Sequence, residues 1–146
     1  MIRKLQQSDR EVYMKMASEF YASDAVWHDI PKENLEKTFS ELMRSDEYAE
    51  CFVFEDGDTV VGYALLAKTF SQEAGGLVIW IEELYLSPES RGKGFGGKFF
   101  DFLFQNRPAA RYRLEIEPEN ERAVALYRKK GFEIMPYGQM CKEICE

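Results

Sequence analysis

Apolar residues recur along this chain in two rhythms, and the rhythm changes at turn-forming residues. Val12, Met16 and Phe20 are spaced by four, with Tyr13 beside them and Ser8-Asp9 ahead as a cap, so a helix is predicted to about residue 21. Trp27-His28-Asp29-Ile30-Pro31 breaks the pattern. A second helix follows Pro31, with Leu35, Phe39, Leu42 and Met43 on its apolar face. Dense apolar runs at 50–54 and 59–70 flank Asp56-Gly57-Asp58, a hairpin signal, and another strand is expected at 77–86. Phe99, Phe102 and Leu103 then return to helical spacing, with Phe100 and Phe104 alongside. Residues 111–117 alternate as a strand, and 119–130 read as a helix closed by Gly131 at its C′ position. Short strands at 2–6, 132–135 and 139–144 complete the order β-α-α-β-β-β-α-β-α-β-β. The class is α+β, or α/β by some schemes.

Composition narrows the picture. With 146 residues, the whole of 1–146 is expected to be a single domain with a core of its own. No apolar run approaches the roughly 18 residues of a membrane span, and the first residues lack a signal-peptide apolar region. A cytoplasmic location and no membrane association are therefore expected. Cys51, Cys141 and Cys145 are odd in number and lack C-x-x-C spacing, which favours free thiols over a metal site. The net charge of −7 argues against nucleic acid and is compatible with a cationic partner.

The stretch between the third long strand and the Phe-rich helix carries the chemistry. Strand, glycine loop and helix start follow one another: Glu82-Glu83-Leu84-Tyr85-Leu86-Ser87-Pro88-Glu89-Ser90-Arg91-Gly92-Lys93-Gly94-Phe95-Gly96-Gly97-Lys98. Unpaired N–H groups at a helix start, aligned with its dipole, attract an anion, and glycines let a phosphate come close. Three phosphate loops share this outline. Gly92, Gly97 and Lys98 match a P-loop until Phe99, which stands where Ser or Thr would ligate Mg²⁺. Gly92, Gly94 and Gly97 match a dinucleotide fingerprint, and Glu115 sits near the acidic position. That motif, however, directly follows its strand and needs several further βα units. Here 87–90 intervene, and fewer than fifty residues follow the loop.

The third pattern, Q/R-x-x-G-x-G/A, is met by Arg91-Gly92-Lys93-Gly94-Phe95-Gly96. About two dozen residues later comes Glu119-Asn120-Glu121-Arg122-Ala123-Val124-Ala125-Leu126-Tyr127-Arg128-Lys129-Lys130-Gly131-Phe132-Glu133. Together, in this order and separation, the two stretches resemble the GNAT superfamily of acyl-CoA-dependent N-acetyltransferases. The resemblance is strong over 82–133 and looser before it. It implies a mixed, mostly antiparallel sheet of about six or seven strands flanked by about four helices. A splayed strand pair would bind the pantetheine arm of the coenzyme.

The expected activity is transfer of an acetyl group from acetyl-CoA to an amine of a small molecule or peptide, in a ternary complex and without a metal. The alternative is an idle acyl-CoA-binding sensor. Amides of Gly92 through Gly97, Phe95 among them, would cradle the pyrophosphate, with Arg91, Lys93 and Lys98 nearby. By resemblance, Leu84, Tyr85 and Leu86 would pair with the pantetheine, and the Leu86 N–H would serve as oxyanion donor. Asn120 is a helix N-cap and, by resemblance, a coenzyme contact. By the same resemblance Tyr127, seven residues on, would protonate the departing thiolate; a phenol with pKa near ~10 is protonated at neutral pH and can donate. Glu82, Glu83 and Glu115 are all candidates for the base that frees the amine, and the first two interrupt an apolar run. Acceptor-lining candidates are Tyr21, Trp27, His28, Asp29 and Tyr137, with Glu82 also facing the acceptor. Dimerisation is frequent among such proteins and is left open by the sequence.

Overall fold

A computed structural model of the protein describes residues 1–24, 26 and 28–144. Trp27, one of the expected acceptor contacts, lies outside the described residues. Five strands form one sheet in the spatial order β1 (Ile2–Lys4), β2 (Ala49–Asp56), β3 (Thr59–Ser71), β4 (Gly76–Leu86) and β5 (Arg111–Leu114). Neighbours are antiparallel except β4 and β5, which run parallel. A parallel pair needs a crossover, and helix α3 (Phe95–Asn106) supplies it.

Both faces of the sheet are covered, and the sequence of β2 shows why. Cys51 and Val53 point to one side and Phe52 and Phe54 to the other, all four buried, as a strand with period-two side chains requires when it lies between two layers. On one side, α1 (Arg10–Tyr21) and α2 (Lys32–Arg44) bury Tyr13, Met16, Leu35, Phe39 and Leu42 against Cys51, Val53, Tyr63, Leu65 and Tyr85. On the other, Phe99, Phe100 and Leu103 of α3 meet Phe52, Phe54, Leu66, Ile79 and Ile81. Helix α4 (Glu121–Lys129) adds Leu126 and Tyr127 to this second layer. Each fully buried side chain of this size contributes about 1.5–3 kcal/mol.

The expected α+β architecture with four helices is present, but the described residues form five strands, not six or seven. Residues 132–135 and 139–144 are not strands. Pro136 has no N–H for a ladder and Gly138 follows it, and the segment stands off β5 across a cavity of about 280 Å³. β5 also stops at Leu114 instead of reaching 117, because its last partner on β4 is Ile81, immediately before a bulge. β1 ends at Lys4, where the Gln7–Asp9 3-10 turn approaches.

Candidate active site

The bulge is the origin of the site. Leu65 faces Glu83 and the next residue, Leu66, faces Ile81, so Glu82 is an extra residue in β4. A bulge shifts everything after it to the opposite face. Ile79 and Ile81 pack under α3, whereas Glu83 and Tyr85 lie on the α1–α2 side, with Leu84 and Leu86 under α3. The β4–β5 ladder ends at the same point, and β4 runs on to Leu86 with no β5 partner. Beyond Ile81 the two strands have parted.

The two adjacent glutamates therefore have different surroundings. Glu83 is buried and fully engaged: Tyr21 donates to its Oε2 at 2.5 Å and Tyr63 to its Oε1 at 2.6 Å. Burial pushes its carboxyl pKa up, and the two phenol donors oppose that rise. Glu82 is exposed and lies at the parting of the strands. Its pKa is raised by desolvation and then by the charges of Glu115 and Glu83. Glu115 follows the end of β5, near enough for its charge to act on Glu82, and it lines a cavity that neither Glu82 nor Glu83 lines. Tyr63 and its role towards Glu83 were not visible in the sequence, because the contact spans twenty residues across two strands.

The glycine loop leads into the N-terminus of α3, and its glycines divide their duties. Gly92 (φ 80°) and Gly94 (φ 89°) occupy left-handed backbone. Gly94 is the N-cap of α3 and has no side chain to fill the helix end; the first bonded amide is that of Lys98, to the Gly94 carbonyl at 3.1 Å. The amides of Phe95, Gly96 and Gly97 are thus the unfilled first turn. Gly96, by contrast, is buried, and a Cβ there would lie 3.0 Å from Leu126 Cδ2, so it lets α4 approach α3. Arg91 is turned back: its Nε donates to the Leu86 carbonyl at 2.9 Å and its guanidinium lies 5.9 Å from the Tyr85 ring centre. Lys93 is exposed on the turn. The Tyr85 hydroxyl donates to Glu19, and burial followed by that bond pushes its pKa up to about 12.

Helix α4 is fixed at both ends by local sequence. Asn120 accepts from the Ala123 amide at 3.2 Å as its N-cap. At the other end Gly131 adopts φ 95°, its N–H bonds the Arg128 carbonyl, and the Phe132 N–H bonds that of Tyr127, both at 3.0 Å. This closure sets Phe132 against the Tyr127 ring (6.2 Å between centres), with Phe100 edge-on at 5.9 Å. Tyr127 is half-buried and its phenol pKa is raised by desolvation. It lines the 280 Å³ cavity with Glu115, Arg113 and Tyr112, and among the described residues its hydroxyl is neither hydrogen-bonded nor sealed from solvent.

On the opposite face, a second cavity of about 300 Å³ opens at the end of α1, lined by Ser18, Tyr21, Ala22, Asp29, Ile30, Lys32 and Leu35. Tyr21 joins it to Glu83. His28 is exposed beside it, with Nδ1 2.9 Å from the Asp29 carbonyl oxygen, and does not line it. Tyr137 lies elsewhere, along the first cavity, donating to Glu73 at 3.0 Å.

Comparison with known proteins gives the family and the fold. Residues 10–132 match the model of the "Acetyltransferase (GNAT) family". A thialysine N-epsilon-acetyltransferase of Mus musculus is 29% identical, covering 89% of this chain and 82% of that protein. The fold is shared with a possible acetyltransferase from Clostridium difficile 630 (TM-score 0.82, 20% identity, 100% of this chain and 98% of that one). It is also shared with the aminoglycoside enzyme AAC(6')-Iy in complex with the bisubstrate analogue CoA-S-monomethyl-acetylneamine (TM-score 0.80, 15% identity, 99% and 98% covered). At such identities the structural likeness speaks for the fold alone.

Proposed function

The chain belongs to the acetyltransferase (GNAT) family, and we propose that it moves an acetyl group from acetyl-CoA to a primary amine of a small molecule or peptide by direct attack. The observation that carries this reading is a pair of backbone features on one strand-turn-helix stretch: beyond Ile81 the edge of β4 has no β5 partner, and the first turn of α3 has no side-chain cap. An extended, amide-rich arm suits the first, and a pyrophosphate suits the second. The residues fit the coenzyme. Leu84, Tyr85 and Leu86 offer backbone to the arm; Gly92 to Gly97 offer amides to the phosphates, with Lys93 beside them; Asn120 caps the adjoining helix. When bound, the coenzyme supplies a thioester, an acyl group activated towards amines.

The protein's part is proton management and orientation. An alkylammonium is mostly protonated at neutral pH and must lose its proton before it can attack. Glu82 takes that proton, directly or through water: among the described residues no side chain donates to it, and its raised pKa brings it nearer to neutrality. Glu83 has both oxygens occupied and serves as a positioning residue, holding Tyr21 at the rim of the α1 cavity. Tyr127 keeps its proton because desolvation disfavours the phenolate, and it gives that proton to the departing thiolate. Glu83 and Asp29 on the α1–α2 side, with Glu82 at the parting of the strands, favour a cationic acceptor. The relative named for thialysine N-epsilon-acetylation supports an amine acceptor.

Release of free coenzyme A from acetyl-CoA across a panel of primary amines tests this, with Tyr127→Phe run in parallel. Amine-dependent release that falls at least tenfold in the variant while coenzyme affinity holds is the expected result. An unchanged rate would remove Tyr127 from the acid role.

A further inference from the structure

Arg122 stands on the first turn of α4, two residues after the Asn120 cap, and it reaches across to the glycine turn that precedes α3. A Cβ built on Gly92 would sit 2.6 Å from its Nη2. Glycine is favoured at 92 by its φ of 80°, and the tip of the exposed Arg122 side chain lies against the turn there. Apart from the exposed Lys93, the cations nearest the turn have other contacts. Arg91 is bonded to the Leu86 carbonyl, Lys130 holds Asp101 at 2.7 Å, and Lys98 lies 5.9 Å from the Phe95 ring centre. Among the described residues Arg122 makes no ion pair or hydrogen bond, although Glu119 and Glu121 flank it in sequence. A guanidinium has five donors in a planar fork that matches phosphate oxygens, so one held with its donors unused over an amide-rich turn is set for an anion.

We propose that Arg122 is a further residue of the coenzyme site, binding a phosphate group of coenzyme A over the Gly92 turn and tying that turn to α4. The proposal rests on the coenzyme reading above. It has a consequence for catalysis, because α4 also carries Tyr127: the phosphate end and the thiol end of one ligand are read by the same helix. Arg122 acts on the coenzyme's charged end only, so its contribution depends on the ligand having phosphates.

The test compares wild type, Arg122→Gln and Arg122→Lys with coenzyme A by calorimetry, and with acetyl-CoA and S-acetylpantetheine as acyl donors. S-acetylpantetheine keeps the thioester arm and lacks the phosphates. Arg122→Gln is expected to weaken coenzyme A binding roughly tenfold to a hundredfold, the usual range for a charge-assisted hydrogen bond. It should raise KM for acetyl-CoA while leaving the rate with S-acetylpantetheine at the wild-type value. Arg122→Lys should recover part of the affinity, since it keeps the charge and loses the fork. Equal losses with both donors would show a role in packing α4 and overturn the proposal, as would unchanged coenzyme A affinity. If wild type itself binds no coenzyme A, the failure belongs to the underlying reading and not to Arg122.

Discussion

Replacing Tyr63 by Phe removes a single hydroxyl from the interior and leaves the ring in its stack with Tyr85 and against Tyr13. Tyr63 is fully buried, and its lost partner is the equally sheltered carboxylate of Glu83, 2.6 Å away. A hydrogen bond to a charged acceptor contributes about 1.5–3 kcal/mol. For a chain of this size each kcal/mol moves Tm by roughly 2–4 °C, so a loss of about 3–12 °C is expected. The loss must depend on pH. Burial holds the Glu83 pKa above its unfolded value, and the phenol donors stabilise the ionised form against that rise. A carboxyl raised in this way stabilises the fold fully below its unfolded pKa of ~4.3, and that contribution is lost as pH rises through the folded pKa. Removing one donor lifts the folded pKa further, so the variant loses more than wild type as Glu83 ionises. Thermal unfolding from about pH 4 to about pH 8 should therefore show a gap in Tm that widens with pH and then levels off. A gap of constant size, or none at neutral pH, would refute the assignment of Tyr63 as donor to an ionisable Glu83.

Other outcomes follow from the same geometry. Gly96→Val should cost about 1–3 kcal/mol by overpacking, because its Cβ already meets Leu126 at 3.0 Å; chemical denaturation reads this directly. Gly94→Ala meets nothing within 4 Å and is penalised only by φ 89°, about 1–2 kcal/mol, so it should weaken coenzyme A binding more than it disturbs α3–α4 packing. The acid limb of kcat/KM should lie above the ordinary glutamate range, and Glu115→Gln should move it to lower pH, since the Glu115 charge helps to hold the Glu82 pKa up. A limb that does not move would separate Glu82 from that titration.

Much of this site could be read from residue order, because its parts are local. The N-cap at Asn120, the left-handed Gly131 and the glycine loop ahead of a phenylalanine-rich helix each depend on residues within one or two turns. What escaped was set by pairing between distant segments. Alternation along β4 places Glu82 and Glu83 on opposite faces, but the bulge at Glu82 belongs to the register with β3, and register is a property of two strands. Tyr63 and Glu19 as partners of β4, and Arg122 as the guanidinium over Gly92, are likewise contacts across the fold. Gly96 resembled its loop neighbours by sequence, and only the approach of α4 shows that it serves packing. The last two strands were expected from apolar spacing alone, which cannot report whether a partner edge is within reach.

The most direct test of the account follows the acetyl group itself. Wild-type protein would be given acetyl-CoA labelled in its acetyl carbons, together with cationic primary amines, and the amines analysed by mass spectrometry. The account predicts labelled acetyl on an amine nitrogen, formed with one equivalent of free coenzyme A and lost when Tyr127 is replaced by Phe. Tight binding of acetyl-CoA with no labelled amine across the panel would contradict it and leave a protein that holds the coenzyme without turning it over.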